Sequence, residues 1–229
     1  MKNILMYSKA MIHKAYQVSY SSKIQMLKSN FYFSLFILSF FTLTFCSCTS
    51  DEEYDPYADW QARNDAWFAD IYSQARGSID AAQQQDATNW EALTDWRIYN
   101  SLMKSNTGQS TDCICVRVLK HGNGTASPIS TDTAYVAFQG YLIPTTDVLG
   151  NRIEKMFAST YQGTFDPATA TFSASKVSAY QDGFYTALQY MVGGDSWEVF
   201  IPYQLFYGET AQNTIPAYSA ARFLIHMKE

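Results

Sequence analysis

The sequence is poor in the residues from which most catalytic and metal centres are assembled. Its 229 residues include three histidines and four cysteines, and beyond residue 48 the only histidines are His121 and His226, far apart in the chain. Neither an HExxH zinc pattern nor a Ser-His-Asp triad can be placed on such a scatter. The sequence therefore offers neither a recognisable zinc site nor a nucleophilic triad.

Cysteine is equally scarce beyond residue 48, where Cys113 and Cys115 stand alone. Two cysteines one residue apart, without a second pair, do not make a zinc site. Alternate residues of a strand share one face, so we expect the two to lie side by side as buried, apolar side chains. A strained disulfide between them is the alternative.

Basic residues are also few once residues 1–48 are set aside. All 21 acidic residues lie after residue 48, where they face eleven basic ones, which gives a formal net charge of −10. Nucleic-acid binding needs a basic surface, and this charge balance argues against it. Aromatic residues, in contrast, are abundant: 15 Phe, 17 Tyr and 5 Trp supply enough rings for a core and for an apolar ligand pocket.

The longest apolar run predicts export. Residues 31–45 read FYFSLFILSFFTLTF, follow Lys28 and end at Cys46-Ser47-Cys48. Such a run is shorter than the ~20 residues that span a bilayer, and its flanks are those of a secretory signal. A small residue precedes Cys48 but not Cys46, so residues 1–47 resemble a bacterial lipoprotein signal, with Cys48 as the lipidated residue. A cleaved signal without lipid is the alternative.

The segments on either side of this run fit the same interpretation. Residues 1–25 are long for a leader, and Met26-Leu27-Lys28 makes an ordinary start, so we expect translation to begin at Met26. Residues 48–58 would form a lipidated acidic tether. Its stretch Thr49–Glu53 is similar to the export tags of Bacteroidetes lipoproteins, and a plain solvated tether is the equal alternative. We expect a cell-envelope protein anchored by lipid, at the outer membrane.

Residues 59–110 are predicted to form a small helical unit. Apolar residues recur at spacings of three, four and seven, which predicts a helix that ends at Gly77. Its stripe comprises Trp60, Trp67, Phe68, Ile71, Tyr72 and Ala75. A second helical piece is expected over 79–85, a turn near Trp90 and a strand from Trp96. The stripe would dock on the rest of the chain or pair with a second copy as a homodimer.

Residues 111–229 are predicted to form one further domain, because the apolar period changes to two at Cys113. The alternation predicts strands over 113–119, 133–141, 197–201 and 221–227, and the spacing within 182–191 predicts a helix. One short helix among antiparallel strands indicates the α+β class.

Five segments of this domain carry a more specific pattern. They are VAFQGYL at 136–142, KMFAST at 155–160, GFYTALQYMVG at 183–193, IPYQLFYG at 201–208, and Thr214-Ile215-Pro216 followed by Phe223. Each is short, but in this order they resemble the motifs of the FKBP-type peptidyl-prolyl cis-trans isomerases. The resemblance covers about half of the chain and none of residues 59–110.

The resemblance implies a bent antiparallel sheet wrapped around one short helix, with an apolar pocket between them that takes a proline ring. Three residues would have catalytic roles: Phe184 as the pocket floor, Phe157 as a wall, and Tyr207 with its hydroxyl directed at a substrate carbonyl. The implied substrate-binding positions are Phe138, Ala158, Phe172, Gln181, Ile215 and Phe223. The partners would be proline-containing exported polypeptides, with no cofactor.

The chain departs from the family's usual residues at three of these positions. Phe138 stands for a Tyr, Ala158 for an Asp and Gln181 for an Ile. The Tyr and the Asp are missing together, so neither is left buried without its partner, although the pocket loses an acidic group. The predicted function is a prolyl isomerase that assists the folding of exported proteins. The alternatives are a non-catalytic chaperone or proline-binding module, and a scaffold in an envelope complex.

Overall fold

The computed structural model describes residues 54–229, which form one compact unit. The predicted signal at residues 1–47, the lipidation site Cys48 and most of the tether lie outside the described residues. No helix between residues 54 and 229 is both long enough and apolar enough to cross a bilayer.

A single long helix opens the described chain. Helix α1 covers Trp60–Gln85 and buries Trp60 and Phe68 of the predicted stripe. The predicted end of the helix at Gly77 is wrong, because the buried residues Ile79 and Ala82 continue its packed face beyond that point. Gly77 itself faces open space, so no contact requires a glycine there. The burial of Ile79 and Ala82 outweighs the cost of about 0.5–1 kcal/mol for a glycine within a helix.

Nine strands follow α1 in the described part, and seven of them form one antiparallel sheet. The strands are β1 Trp96–Asn100, β2 Cys113–Lys120, β3 Thr133–Leu142, β4 Thr145–Thr146, β5 Arg152–Ile153, β6 Met156–Ser159, β7 Ser173–Lys176, β8 Ser196–Ile201 and β9 Ala221–Met227. The order in the sheet is β1-β2-β8-β9-β3-β6, with β7 pairing with β3 as well, while β4 and β5 form a separate hairpin. A second helix, α2, covers Asp182–Leu188. The predicted α+β class is confirmed.

The sheet is covered on both faces. Alternate residues of β2, Ile114 and Val116, belong to the main core, and α2 packs against β2 and β8 on this side. Cys115 points the other way and packs with Phe68 of α1 and Phe200 of β8. Because both faces of the sheet are covered, four consecutive residues of β2, from Cys113 to Val116, are buried. Such a run without alternation is typical of a strand that is buried on both faces.

Strand β1 lies N-terminal to the predicted boundary at residues 110 and 111. It pairs with β2 from Trp96, opposite Arg117, to Asn100, opposite Cys113. The boundary therefore falls between two paired strands of one sheet. Within the apolar stripe of α1, Trp60, Phe68 and Ala75 are buried, whereas Trp67, Ile71 and Tyr72 are partly exposed. Pairing with a second copy stays a prediction.

Cys113 and Cys115 are buried free thiols, as the sequence predicted. Burial raises the pKa of Cys113 to about 11 and raises the pKa of Cys115 as well. Both therefore stay protonated near neutral pH and serve as small packing residues.

A buried polar group lies on the face of the sheet opposite α2. His226 of β9 is 6% exposed, and its ring nitrogens lie 2.8 Å from Ser196 Oγ and 3.0 Å from Tyr161 Oη. The ring of Phe165 stacks on the imidazole, with centroids 3.6 Å apart. Burial lowers the pKa of His226 from 6.5 to about 4, so the imidazole is neutral in the folded protein at neutral pH.

We expect the free energy of unfolding to fall as the pH is lowered from 6.5 towards 4. The folded-state pKa of His226 lies below its unfolded-state value, so in this window the unfolded chain binds a proton that the folded chain does not. The stability that depends on a neutral His226 is fully present above pH 6.5 and is lost as the pH falls through about 4. Urea denaturation across the window measures it. His226→Gln should lose less stability there than the wild type, and an equal loss would contradict the assignment.

Candidate active site

An apolar pocket of about 330 Å³ opens between α2, the β6 end of the sheet and the loop that precedes β9. Strands, helix and turns each contribute aromatic side chains to it. These are Phe138 from β3, Phe157 from β6, Tyr180 from the segment before α2, Phe184 from α2, Phe206 and Tyr207 from the turn after β8, and Phe223 from β9.

Helix α2 approaches β8 closely because its second residue is Gly183. A Cβ at this position would lie 2.3 Å from Cγ2 of Ile201, so only glycine fits. Ser101 Oγ donates to the carboxylate of Asp182, 2.8 Å from either oxygen, and fixes the start of the helix. These contacts place Phe184, at the next position, in the pocket with 3% of its surface exposed.

Phe223 is the centre of the ring cluster. Its centroid lies 5.0 Å from that of Phe184, 5.5 Å from Phe157 and 5.8 Å from Phe206, and all three pairs are close to perpendicular. Phe138 meets Phe184 edge-on at 5.5 Å. Such edge-to-face pairs contribute about 0.5–1.5 kcal/mol each beyond the burial of area. The rings therefore hold one another in place before any ligand binds.

Gly140 makes room for two of these rings. It lies on β3, opposite Phe223 on β9 and Ala158 on β6. A Cβ at Gly140 would lie 2.6 Å from the ring of Phe223 and 2.7 Å from the ring of Phe157. The missing side chain thus allows both rings to pack across the strand.

The pocket offers little for nucleophilic or acid–base chemistry. Tyr180 and Tyr207 are the only described lining residues with an ionisable side chain. Within residues 54–229, no three His, Cys, Asp or Glu side chains come together as a metal site would need. Tyr207 is half-buried beside Phe206, with ring centroids 4.3 Å apart. The arrangement can enclose an apolar ring and place a phenol hydroxyl near it.

The structure brings eight of the nine predicted site residues around this one pocket. The three predicted catalytic residues, Phe157, Phe184 and Tyr207, line it together with Phe138, Ala158, Gln181, Ile215 and Phe223. Their convergence was expected, while the individual role of each residue stays a prediction. Ala158 and Phe138 bring no polar side-chain atom to the pocket wall.

Phe172 is the exception, and its place in the pocket wall is corrected. It lies 6.3 Å from Phe165, between ring centroids, with the Lys228 ammonium 5.8 Å from its ring centroid. Phe165 in turn stacks on His226, which points away from α2. Phe172 therefore lies on the opposite face of the sheet, and Phe206 completes the pocket wall.

Two aromatic lining residues were missed from the sequence. Phe206 lies next to Tyr207 within a segment that the motifs had already marked. Tyr180 stacks on Phe184 at 4.6 Å, and its hydroxyl is buried without a hydrogen-bond partner among the described residues. Tyr180 has extended backbone and lies before α2, so no helical spacing in the sequence signalled its contact with Phe184.

Comparison with known proteins gives a match for the C-terminal region. Residues 124–228 match the model of the family described as FKBP-type peptidyl-prolyl cis-trans isomerase. No curated protein matches the chain by sequence.

Two solved structures are similar at low identity. One is FkpA from Escherichia coli, with 20% identity and a TM-score of 0.42, matching 74% of this chain. This chain spans 63% of the length of that one. The other is a peptidyl-prolyl cis-trans isomerase from Pseudomonas syringae pv. tomato, with 17% identity and a TM-score of 0.41, covering 70% of this chain and 93% of its own.

Proposed function

We propose that the aromatic pocket accelerates rotation about Xaa-Pro peptide bonds by enclosing and twisting them, as the match of residues 124–228 to the model of the FKBP-type peptidyl-prolyl cis-trans isomerase family suggests. The observation that carries this proposal is the convergence of five Phe rings and Tyr207 on one cavity of about 330 Å³. Among residues 54–229, none of those that line the cavity has a charged side chain.

The physical basis lies in the electronic structure of the amide. Resonance sets a barrier of about 18–20 kcal/mol to rotation of the peptide bond, and before proline the two isomers interconvert over tens to hundreds of seconds. Twisting removes the resonance and reduces the negative charge on the carbonyl oxygen. Water stabilises the planar, more polar amide better than the twisted one. An apolar enclosure therefore favours the transition state relative to the ground state.

Tyr207 would complete the site, because its hydroxyl would donate a hydrogen bond to a carbonyl oxygen of the bound peptide. The rings of Phe184 and Phe157 would receive the proline, and Tyr207 would fix the orientation of the neighbouring backbone. Orientation of this kind supports catalysis because a twisted amide must be held while water is kept out.

We expect Tyr207→Phe to lower kcat/KM about three- to tenfold, the effect of one hydrogen bond worth about 1 kcal/mol. Exchange between cis and trans peptides, followed by NMR on a panel of Xaa-Pro peptides, measures the rate. Tyr190→Phe is the matched control, since Tyr190 stacks on Tyr99 outside the pocket. Unchanged activity in Tyr207→Phe would remove the role given to the hydroxyl.

The same panel tests the function itself. Because the described lining carries no charge, we expect peptides with an apolar residue before proline to be the better substrates. A wild-type protein that binds these peptides without accelerating their exchange would be a proline-binding module instead of an isomerase.

We further propose that the substrates are exported polypeptides and that Cys48 anchors the chain by lipid in the outer membrane. The support is the sequence pattern of residues 31–48. The mass of the N-terminal peptide of the mature protein tests this proposal. A mature chain that begins elsewhere, or that lacks acyl chains on Cys48, would overturn it.

A further inference from the structure

The mouth of the pocket is closed on one side by a loop that also contacts the N-terminal part of the described chain. We call residues 208–220 the overhang loop, and its residues 212–215 line the pocket. Gln212 and Ile215 exchange two backbone hydrogen bonds of 2.9 and 2.8 Å, around Asn213 in the left-handed region at φ 51°. Two further hydrogen bonds lie within the loop, from Tyr218 N–H to the Gly208 carbonyl and from Ser219 Oγ to the Pro216 carbonyl. Contacts with other parts of the chain add to them.

The base of the overhang loop is fixed by helix α1. Trp60 Nε1–H donates to Ser219 Oγ at 2.9 Å, and Ser219 Oγ donates in turn to the carbonyl of Pro216 at 2.7 Å. Asn64 Oδ1 accepts the backbone N–H of Ala220 at 2.8 Å. Trp60, Asn64, Ser219 and Ala220 are all buried, with Asn64 1% exposed. Buried hydrogen bonds of this kind are costly to break because no water replaces them.

The backbone next to these contacts is strained. Tyr218 has φ 60°, a conformation that a bulky residue rarely adopts, and its N–H donates to the Gly208 carbonyl at 2.9 Å. Such a residue stays in place only when its surroundings fix it. The bonds to Ser219 and Ala220, at the next two positions, supply that constraint.

The turn of the loop is also tied to the segment before α1. Lys155 Nζ lies 3.1 Å from Tyr57 Oη and 3.4 Å from the Thr214 carbonyl oxygen. The Tyr57 ring packs edge-on against Trp60, with centroids 4.9 Å apart. The base of the overhang loop thus contacts Trp60 and Asn64 directly, and its turn is linked to Tyr57 through Lys155.

We infer that Trp60 and Asn64 are positioning residues for the pocket, acting through Ser219 and Ala220 on the overhang loop. Residues outside the region matched by the isomerase family thereby set the shape of the pocket mouth. The inference rests on the proposed function for its kinetic consequence, and on the loop contacts alone for its structural one.

The test compares Trp60→Phe, which keeps an apolar ring and loses the N–H donor, with a destabilising change at the far end of the same helix. Ile79, which is buried in α1, supplies that control as Ile79→Val or Ile79→Ala, whichever matches the loss of stability. We expect Trp60→Phe to raise amide hydrogen exchange within residues 208–220. We also expect it to raise KM for Xaa-Pro peptides about fivefold with little change in kcat. The matched Ile79 variant should change neither quantity.

Ser219→Ala removes the same bond from the loop side and should reproduce both effects, and the double variant should add little to either single one. Exchange in 208–220 that is the same in Trp60→Phe and in the Ile79 control would overturn the inference. A wild-type protein without isomerase activity would instead overturn the proposed function, and the exchange comparison would still decide the role of Trp60.

Discussion

Replacing Phe184 with alanine is expected to lower the free energy of unfolding by about 3–5 kcal/mol and to reduce kcat/KM to less than about a tenth of the wild-type value. Phe184 is 3% exposed and meets Phe138, Phe223 and Tyr180 within centroid distances of 5.5, 5.0 and 4.6 Å. Its removal leaves a cavity that these rings cannot fill without moving. Urea denaturation and peptide exchange measured by NMR give the two quantities.

Phe184→Leu separates the fold from the reaction. Leucine fills most of the volume, so we expect a loss of stability well below that of the alanine variant, while the flat floor against which proline would stack is lost in both. We therefore expect the two variants to have similar, low kcat/KM values. Full activity in Phe184→Leu would show that the floor needs only an apolar side chain, and would contradict the role given to the ring.

Gly140→Ala is expected to cost about 1–3 kcal/mol of stability and to lower kcat/KM about tenfold or more. The added methyl group would lie within 2.8 Å of the rings of Phe223 and Phe157. Both rings are already packed on their other sides, so they must turn or withdraw from the pocket. Thermal unfolding and the peptide panel measure the effect.

Gly77→Ala is the matched control for this substitution. A Cβ at Gly77 meets nothing within 4 Å, and the residue lies within α1. We expect this variant to be more stable than the wild type by up to about 1 kcal/mol, with unchanged kcat/KM, since alanine favours the helix. Comparable losses in the two alanine variants would show that the clash at Gly140 is absorbed elsewhere.

The extent to which the sequence predicts this molecule differs between its two parts. In the C-terminal part, alternation located β2, β3, β8 and β9 but not the short strands β4 to β7. The motifs located the pocket, because side chains on facing strands must share one core. Phe172 was misplaced, since a motif spacing does not say which face of the sheet a residue before a short strand will take. The face that Phe172 takes follows from its contact with Phe165, which stacks on His226, and the sequence does not show that contact.

In the N-terminal part, the sequence pattern found α1 and the start of β1 at Trp96, but not the pairing of β1 with β2. Arg97 lies in the middle of this strand and is 4% exposed, although a charged residue usually marks the surface. Its guanidinium donates to the carbonyls of Thr94, Trp96 and Glu91 at 2.7, 2.7 and 2.8 Å. These carbonyls belong to residues 91–96, at and just before the start of β1. A pattern of apolar residues does not reveal such backbone partners.

The position of β9 has a consequence for how the molecule comes into being. This strand follows every other described strand in the chain, yet it lies between β8 and β3 in the middle of the sheet and contributes Phe223 to the pocket. Until residues 221–227 emerge, β3 and β8 have no partner between them, and the separate halves cannot close into one sheet. The sheet can therefore close only after β9 has been synthesised, and the chain made up to that point cannot complete the pocket.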